Sequence, residues 1–170
     1  NQENKWDNSG KIFWEILNDP DISDNFYLMM DDVYVLKKPD MKTYVNLSRH
    51  TMYTTRHSDY YNAKRNAYKW LLVHGKPVRD FEHHRPFLYN KQKALELFPM
   101  YPIQTCFRSI YGNWYHIPTE QASDCKIFSI RANNFPPNDW CLSTTDKTFH
   151  RGKVGEWVRK YATKKSRFEK

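Results

Sequence analysis

The chain has 170 residues, of which 39% are hydrophobic and 16% aromatic, with only 5 glycines. That is enough apolar mass for one packed domain and too much for a disordered polymer, so residues 1–170 read as a single α/β domain. No apolar run approaches the ~20 residues of a membrane-spanning helix, and no signal-peptide pattern appears.

The net charge of +8 points towards nucleic acid, but its distribution weakens that reading. Residues 151–170, read as a basic C-terminal helix and tail, carry eight Lys/Arg against Glu156 and Glu169, so residues 1–150 hold only +2. Cys106, Cys125 and Cys141 have neither metal-ligand spacing nor an even count, which fits free thiols in a reducing compartment, the cytoplasm. The chain opens Asn-Gln-Glu without an initiator Met, so residues upstream are expected to have been removed or left out.

Residues 1–10 read as a polar lead-in. Ile12, Phe13, Ile16 and Leu17 recur at helical spacing, predicting a short amphipathic helix over 11–18 that Asp19-Pro20 stops. Phe26–Met30 has no polar face, the pattern of a strand covered on both sides, and favours α/β architecture. Val33–Leu36 continues extended. Residues 40–58 read as irregular strand or loop. Ser58 is a natural N-cap for the next helix, whose Tyr60, Ala63, Ala67, Trp70 and Leu71 form an apolar stripe with Lys64, Arg65 and Lys69 facing away. Gly75 ends it. Asn90 caps a helix through Phe98 that Pro99 stops. Lys126–Ile130 and Trp140–Leu142 read as short strands around a Pro136-Pro137 turn, and Val154, Trp157, Val158 and Tyr161 make a last helix.

Asp31 and Asp32 end the apolar run at 26–30. Burying an unpaired carboxylate costs several kcal/mol, so the pair calls for a divalent cation, a catalytic site, or a turn that lifts both into water. At the carboxyl edge of an α/β sheet, where ligands bind, two hard oxygen ligands suit Mg²⁺ or Mn²⁺ carrying a diphosphate. In Asp80-Phe81-Glu82-His83-His84-Arg85-Pro86, alternation puts Glu82 and His84 on one face and His83 on the other; a general base, a metal ligand, a phosphate clamp or a plain surface loop all fit. In Phe107-Arg108-Ser109-Ile110-Tyr111-Gly112-Asn113, an Arg and a hydroxyl among aromatics fit a phosphate, Gly112 lets backbone approach a ligand, and an Arg paired within the fold fits equally. Asp124-Cys125-Lys126 and Leu142-Ser143-Thr144-Thr145-Asp146 read as polar strand ends. Interleaved Tyr and Arg/Lys through 49–70, with the basic tail, fit nucleic acid.

Taken in order, the four motifs at 26–32, 81–86, 107–113 and Asp124-Cys125-Lys126 resemble the Stealth-like sugar-phosphate transferases, and more closely their short relatives in bacteriophage genomes described as glycosyltransferases. In those, an apolar strand ends in Asn-Asp-Asp, a later segment reads roughly Tyr-Glu-x-His-x-Pro, and a third reads Arg-Ser-x-Tyr-Gly-Asn. The similarity runs from about residue 8 to the C-terminus, where Ser166-Arg167-Phe168-Glu169 also matches.

The resemblance implies a GT-A-like sheet flanked by helices, without its first N-terminal strands, and a transferase using a nucleotide-sugar donor and an unspecified acceptor, in the host bacterial cytoplasm if phage-encoded. By position it puts Asp31 and Asp32 on the metal and donor diphosphate, with Asp32 and Arg108 in the catalytic set. His84 becomes the general base or acid, and Glu82 orients it or binds acceptor. Arg108 and Ser109 hold donor phosphate, with Asn113 and Lys126 nearby. Met30 departs from the family's Asn. The rival expectations are a nucleic-acid-binding module and a catalytically inactive remnant domain.

Overall fold

The computed structural model describes residues 5–30, 32–40, 42–46, 51–101, 106–134 and 139–161. Asp31, the Pro136-Pro137 turn and the tail after Tyr161 lie outside them. In chain order the elements are α1 (Lys5–Asn18), β1 (Asn25–Leu28), β2 (Val33–Val35), β3 (Tyr44–Asn46), α2 (Asp59–Val73), β4 (Phe87–Asn90), α3 (Lys91–Leu97), a 3₁₀ turn at Phe98–Met100, α4 (Phe107–Trp114), β5 (Glu120–Ala122), β6 (Lys126–Ile127), β7 (Cys141–Thr144), α5 (Asp146–Arg151) and α6 (Lys153–Tyr161). The chain is mixed α/β, and the strands among the described residues are spread over three small sheets. It divides into two compact units, one of residues 1–28, 42–82 and 87–123, the other of residues 29–41, 83–86 and 124–170.

The first unit is built on aromatic packing. β1 and β4 form an antiparallel ribbon and β3 pairs in parallel with β5. Phe13 and Leu17 of α1, Ala67 and Leu71 of α2, Phe87 and Tyr89 of β4, and Ile110 and Tyr111 of α4 share one buried cluster. Ser58 caps α2, its side chain accepting from the Tyr61 N–H, and Asn90 caps α3 through the Lys93 N–H. Both caps satisfy an otherwise orphaned donor of the first turn. Gly75, at φ +62, provides the left-handed turn that releases the chain from α2.

Several local expectations need correction. The run Phe26–Met30 is not a strand covered on both faces: β1 ends at Leu28, its partner is antiparallel, and Met29 and Met30 are exposed. Asp32 therefore does not sit at the carboxyl edge of a parallel sheet; it lies in the turn before β2, where the Val33 N–H bonds the Met30 carbonyl at 3.3 Å. Lys64 does not face away from the core. It is fully buried and ion-paired to Asp80, equally buried, and that partner is what makes a lysine on the inner face of α2 tolerable. Gly112 serves no ligand approach: a Cβ there would meet the Phe81 ring at 2.6–2.8 Å, so the glycine makes room for a core phenylalanine. Finally, strand structure after Lys126 stops at Ile127, while residues 107–114, read only as a motif, form α4.

The second unit centres on β7, which pairs antiparallel with β2 and parallel with β6. All four β7 residues are buried. Leu142 packs with Val154 and Val158 of α6, and Cys141 with Cys125 and Trp140. α5 starts from a capping box in which Thr145 and Thr148 bond reciprocally. α5 and α6 meet so closely at Gly155 that a Cβ would lie 1.7 Å from the Phe149 carbonyl oxygen. Among the described residues no helix is long and apolar enough to cross a membrane.

Candidate active site

In the second unit a polar cluster assembles along the β2–β7–β6 sheet. Asp124 lies two residues before β6 and makes an Asx turn, its Oδ1 accepting the Lys126 N–H at 3.2 Å. The same oxygen accepts the His84 backbone N–H at 3.0 Å, and Oδ2 faces His84 Nδ1 at 2.9 Å. One carboxylate thus fixes both the backbone and the ring of His84. Because an ionised carboxylate can only accept, the shared proton sits on Nδ1 and leaves Nε2 as the reactive nitrogen. Burial alone would raise the Asp124 carboxyl, but its hydrogen bonds to the His84 side chain and the charge of that ring outweigh the burial and hold it down at about 2. The pair remains open to water, with side chains 25% and 24% exposed.

Lys126 extends the cluster. Its ammonium pairs with Asp32 Oδ2, so β6 and the turn before β2 are tied over the central strand. Asp32 Oδ1 is buried and has no hydrogen-bond partner among the described residues, as is the Ser143 hydroxyl of β7. The Phe128 ring and the imidazole of His84 meet in a T-shaped contact, with centroids 6.0 Å apart and planes at 77°.

The neighbouring histidine has another task. His83 is buried, and its Nδ1 accepts the Arg85 N–H at 3.1 Å, while the Arg85 guanidinium forms a bidentate pair with Asp139. The thiol of Cys125 is hydrogen-bonded to that of Cys141 and buried, and both push it above the ordinary thiol range, towards the unreactive neutral form.

The remaining predicted residues belong to the first unit. Glu82 Oε1 accepts from both the backbone N–H and the hydroxyl of Ser109, at 3.1 and 2.8 Å. Ser109 Oγ in turn accepts the Phe81 N–H at 3.1 Å. The Asn113 amide donates to the Arg79 and Ser109 carbonyls, both at 2.8 Å, and its oxygen accepts the Arg79 N–H at 3.0 Å. Ser109 and Asn113 are fully buried, so here both lock α4 to the 79–82 segment. The Arg108 guanidinium lies over the Phe87 ring, 5.6 Å from its centroid, and bonds the Tyr89 phenol, which burial pushes well above the ordinary range.

Asp32, His84 and Lys126 thus fall in the second unit, and Glu82, Arg108, Ser109 and Asn113 in the first. For a divalent cation the observation that bears on Asp32 is its buried Oδ1, which has no hydrogen-bond partner among the described residues. No group of three His, Cys, Asp or Glu side chains converges among them, and the charge beside Asp32 is balanced by Lys126. Two parts of the site were missed in the sequence. Asp124 was visible as a polar strand end and as part of a motif of the resemblance, but without a role, since its partner lies 40 residues away, although Asp two residues before a strand start is a recognisable turn signal. Phe128 was read as part of a strand. Compared with models of known protein families, with curated proteins and with solved structures, the chain matches none.

Proposed function

We propose that the chain is a glycosyl or sugar-phosphate transferase of the nucleotide-sugar type with a GT-A-like core, and that His84 is its general base. The observation that carries the reading is the His84–Asp124 dyad: a part-exposed imidazole whose Nδ1–H is held by a carboxylate, in a chain whose motifs resemble such transferases. In the reaction Nε2 takes the proton of the acceptor hydroxyl as its oxygen forms the new bond to the transferred sugar or phosphorus. The bond to the donor's leaving phosphate breaks, and its electron pair departs with the nucleotide. Asp124 keeps the ring oriented and stabilises the imidazolium that forms.

A divalent Mg²⁺ or Mn²⁺, which the resemblance assigns to Asp31 and Asp32, would neutralise the leaving diphosphate; the unpartnered Asp32 Oδ1 supports that assignment. Lys126, paired to the same carboxylate, supplies a second positive charge. Arg108 keeps its assignment to donor phosphate from the resemblance alone, while Glu82, Ser109 and Asn113 support α4 by the hydrogen bonds described above. Titrating Mn²⁺ into the protein with and without nucleotide sugars tests the metal assignment. Binding that strengthens with nucleotide sugar and is lost in Asp32→Ala is expected; identical binding by that variant refutes it. The rival nucleic-acid reading draws on the exposed Lys153, Arg159 and Lys160 of α6, and predicts binding that falls steeply with salt and survives loss of Asp32.

A further inference from the structure

Among the described residues of the second unit, Phe128 is the most exposed large hydrophobic side chain. Directly after β6, the residue is 65% exposed, a costly place for a phenylalanine in water, and its described ring contact is the T-shaped one with His84. Ile130, two residues on, is also exposed. Neither belongs to the buried clusters of Leu142 or Cys141.

We propose that Phe128 is the specificity-determining residue for the acceptor, a stacking platform for the apolar face of a pyranose ring; this rests on the reading of His84 as general base. The chemistry on either side of the pair selects that class. An aromatic face attracts a ring that presents a flat row of C–H groups or a π-system, and the imidazole beside it requires an ionisable hydroxyl within hydrogen-bond reach. A nucleobase satisfies the first condition and offers no hydroxyl. A linear polyol satisfies the second and offers no apolar face. A pyranose has both, with hydroxyls around the rim of a C–H face, and one seated on Phe128 carries that rim next to the neighbouring ring. Phe128 lies beside the imidazole and has no proton to give or take, so it selects the substrate without taking part in proton transfer.

The test is a titration of the full chain with methyl β-D-galactopyranoside and methyl β-D-glucopyranoside, reading the imidazole signals of His84 by NMR. Wild type and Phe128→Trp are expected to show saturable shifts with at least one pyranoside, Phe128→Ala about tenfold weaker binding, and glycerol no saturable shift. Because Phe128 is exposed, its replacement leaves the core intact, and unchanged backbone amide signals elsewhere check this. Equal pyranoside binding by Phe128→Ala, no binding by wild type, or equal shifts with glycerol would overturn the platform. The two assignments separate cleanly. If pyranosides bind as expected and no donor turns over, Phe128 keeps its place as a pyranose-binding platform, while its acceptor role falls with the transferase reading. If donor turnover persists and acceptor KM is unchanged in Phe128→Ala, the platform falls and the transferase reading stands.

Discussion

Replacing Asp124 by Asn changes one functional group and reverses the hydrogen bond that defines His84. The amide oxygen can still accept the His84 and Lys126 backbone N–H groups that Oδ1 accepts in the wild type. The amide nitrogen then faces His84 Nδ1 as a donor, so the ring must present a bare Nδ1 and carry its proton on Nε2. The Asp124 carboxyl, at about 2 rather than 3.8, is stabilised in its charged form by about 2 kcal/mol, a figure its limited exposure does not greatly discount. A carboxylate with a lowered pKa contributes stability above its unfolded value and loses it as pH falls through its folded value.

Asp124→Asn should therefore cost about 2 kcal/mol near neutral pH, a fall in melting temperature of about 4–8 °C for a chain of this size. The gap between variant and wild type should shrink to about half by pH 3 and close as pH reaches the folded value. In ¹⁵N NMR the neutral ring should switch from Nδ1–H to Nε2–H, and donor turnover should drop by roughly 10²–10⁴. A ring that keeps its Nδ1–H tautomer in the variant, or a stability gap as large at pH 3 as at pH 7, would refute the dyad.

Lys64→Ala leaves the buried Asp80 carboxylate without its cation and should cost about 3–5 kcal/mol by urea denaturation; a loss below about 1 kcal/mol would mean that water reaches the pair. Gly155→Ala should be more damaging than Gly112→Ala. Its Cβ meets backbone at 1.7 Å, whereas that of Gly112 meets a phenylalanine ring at 2.6–2.8 Å that can shift. Thermal melts should show Gly112→Ala losing about 1–3 kcal/mol and Gly155→Ala more, and the reverse order would contradict the α5–α6 crossing. Lys126→Met should release Asp32 and tighten Mn²⁺ binding, measured by calorimetry, because a competing cation is removed; weaker binding would show that Lys126 helps build the cation site.

The caps and the helix stripes were legible because they are local. Ser58, Asn90, Gly75 and the apolar face of α2 act within one turn, and short-range geometry fixes them. The tertiary partners were not. Nothing in the composition of α2 says that Lys64 turns inward, because its burial depends on Asp80, sixteen residues on and outside the helix. The apolar run at 26–30 was misread for a related reason: Met29 and Met30 have a buried residue's hydropathy and an exposed position, so composition extended β1 past its end. His84 was preferred to His83 by alternation and motif match. The structure adds a physical difference, since His83 accepts a backbone N–H in the interior while His84 faces Asp124 with water in reach. Ser109 and Asn113 show the opposite limit: their motif reads as phosphate chemistry, and their hydrogen bonds are spent on holding α4.

The claim that His84 moves the acceptor proton in a transfer from a nucleotide sugar is tested most directly by ³¹P NMR. The full chain is incubated with Mn²⁺, a panel of nucleotide sugars and a pyranoside acceptor, beside His84→Gln. Release of nucleotide by the wild type, reduced at least about a hundredfold in His84→Gln, is the predicted result. Release at the same rate in both proteins, or none from any donor, would contradict it.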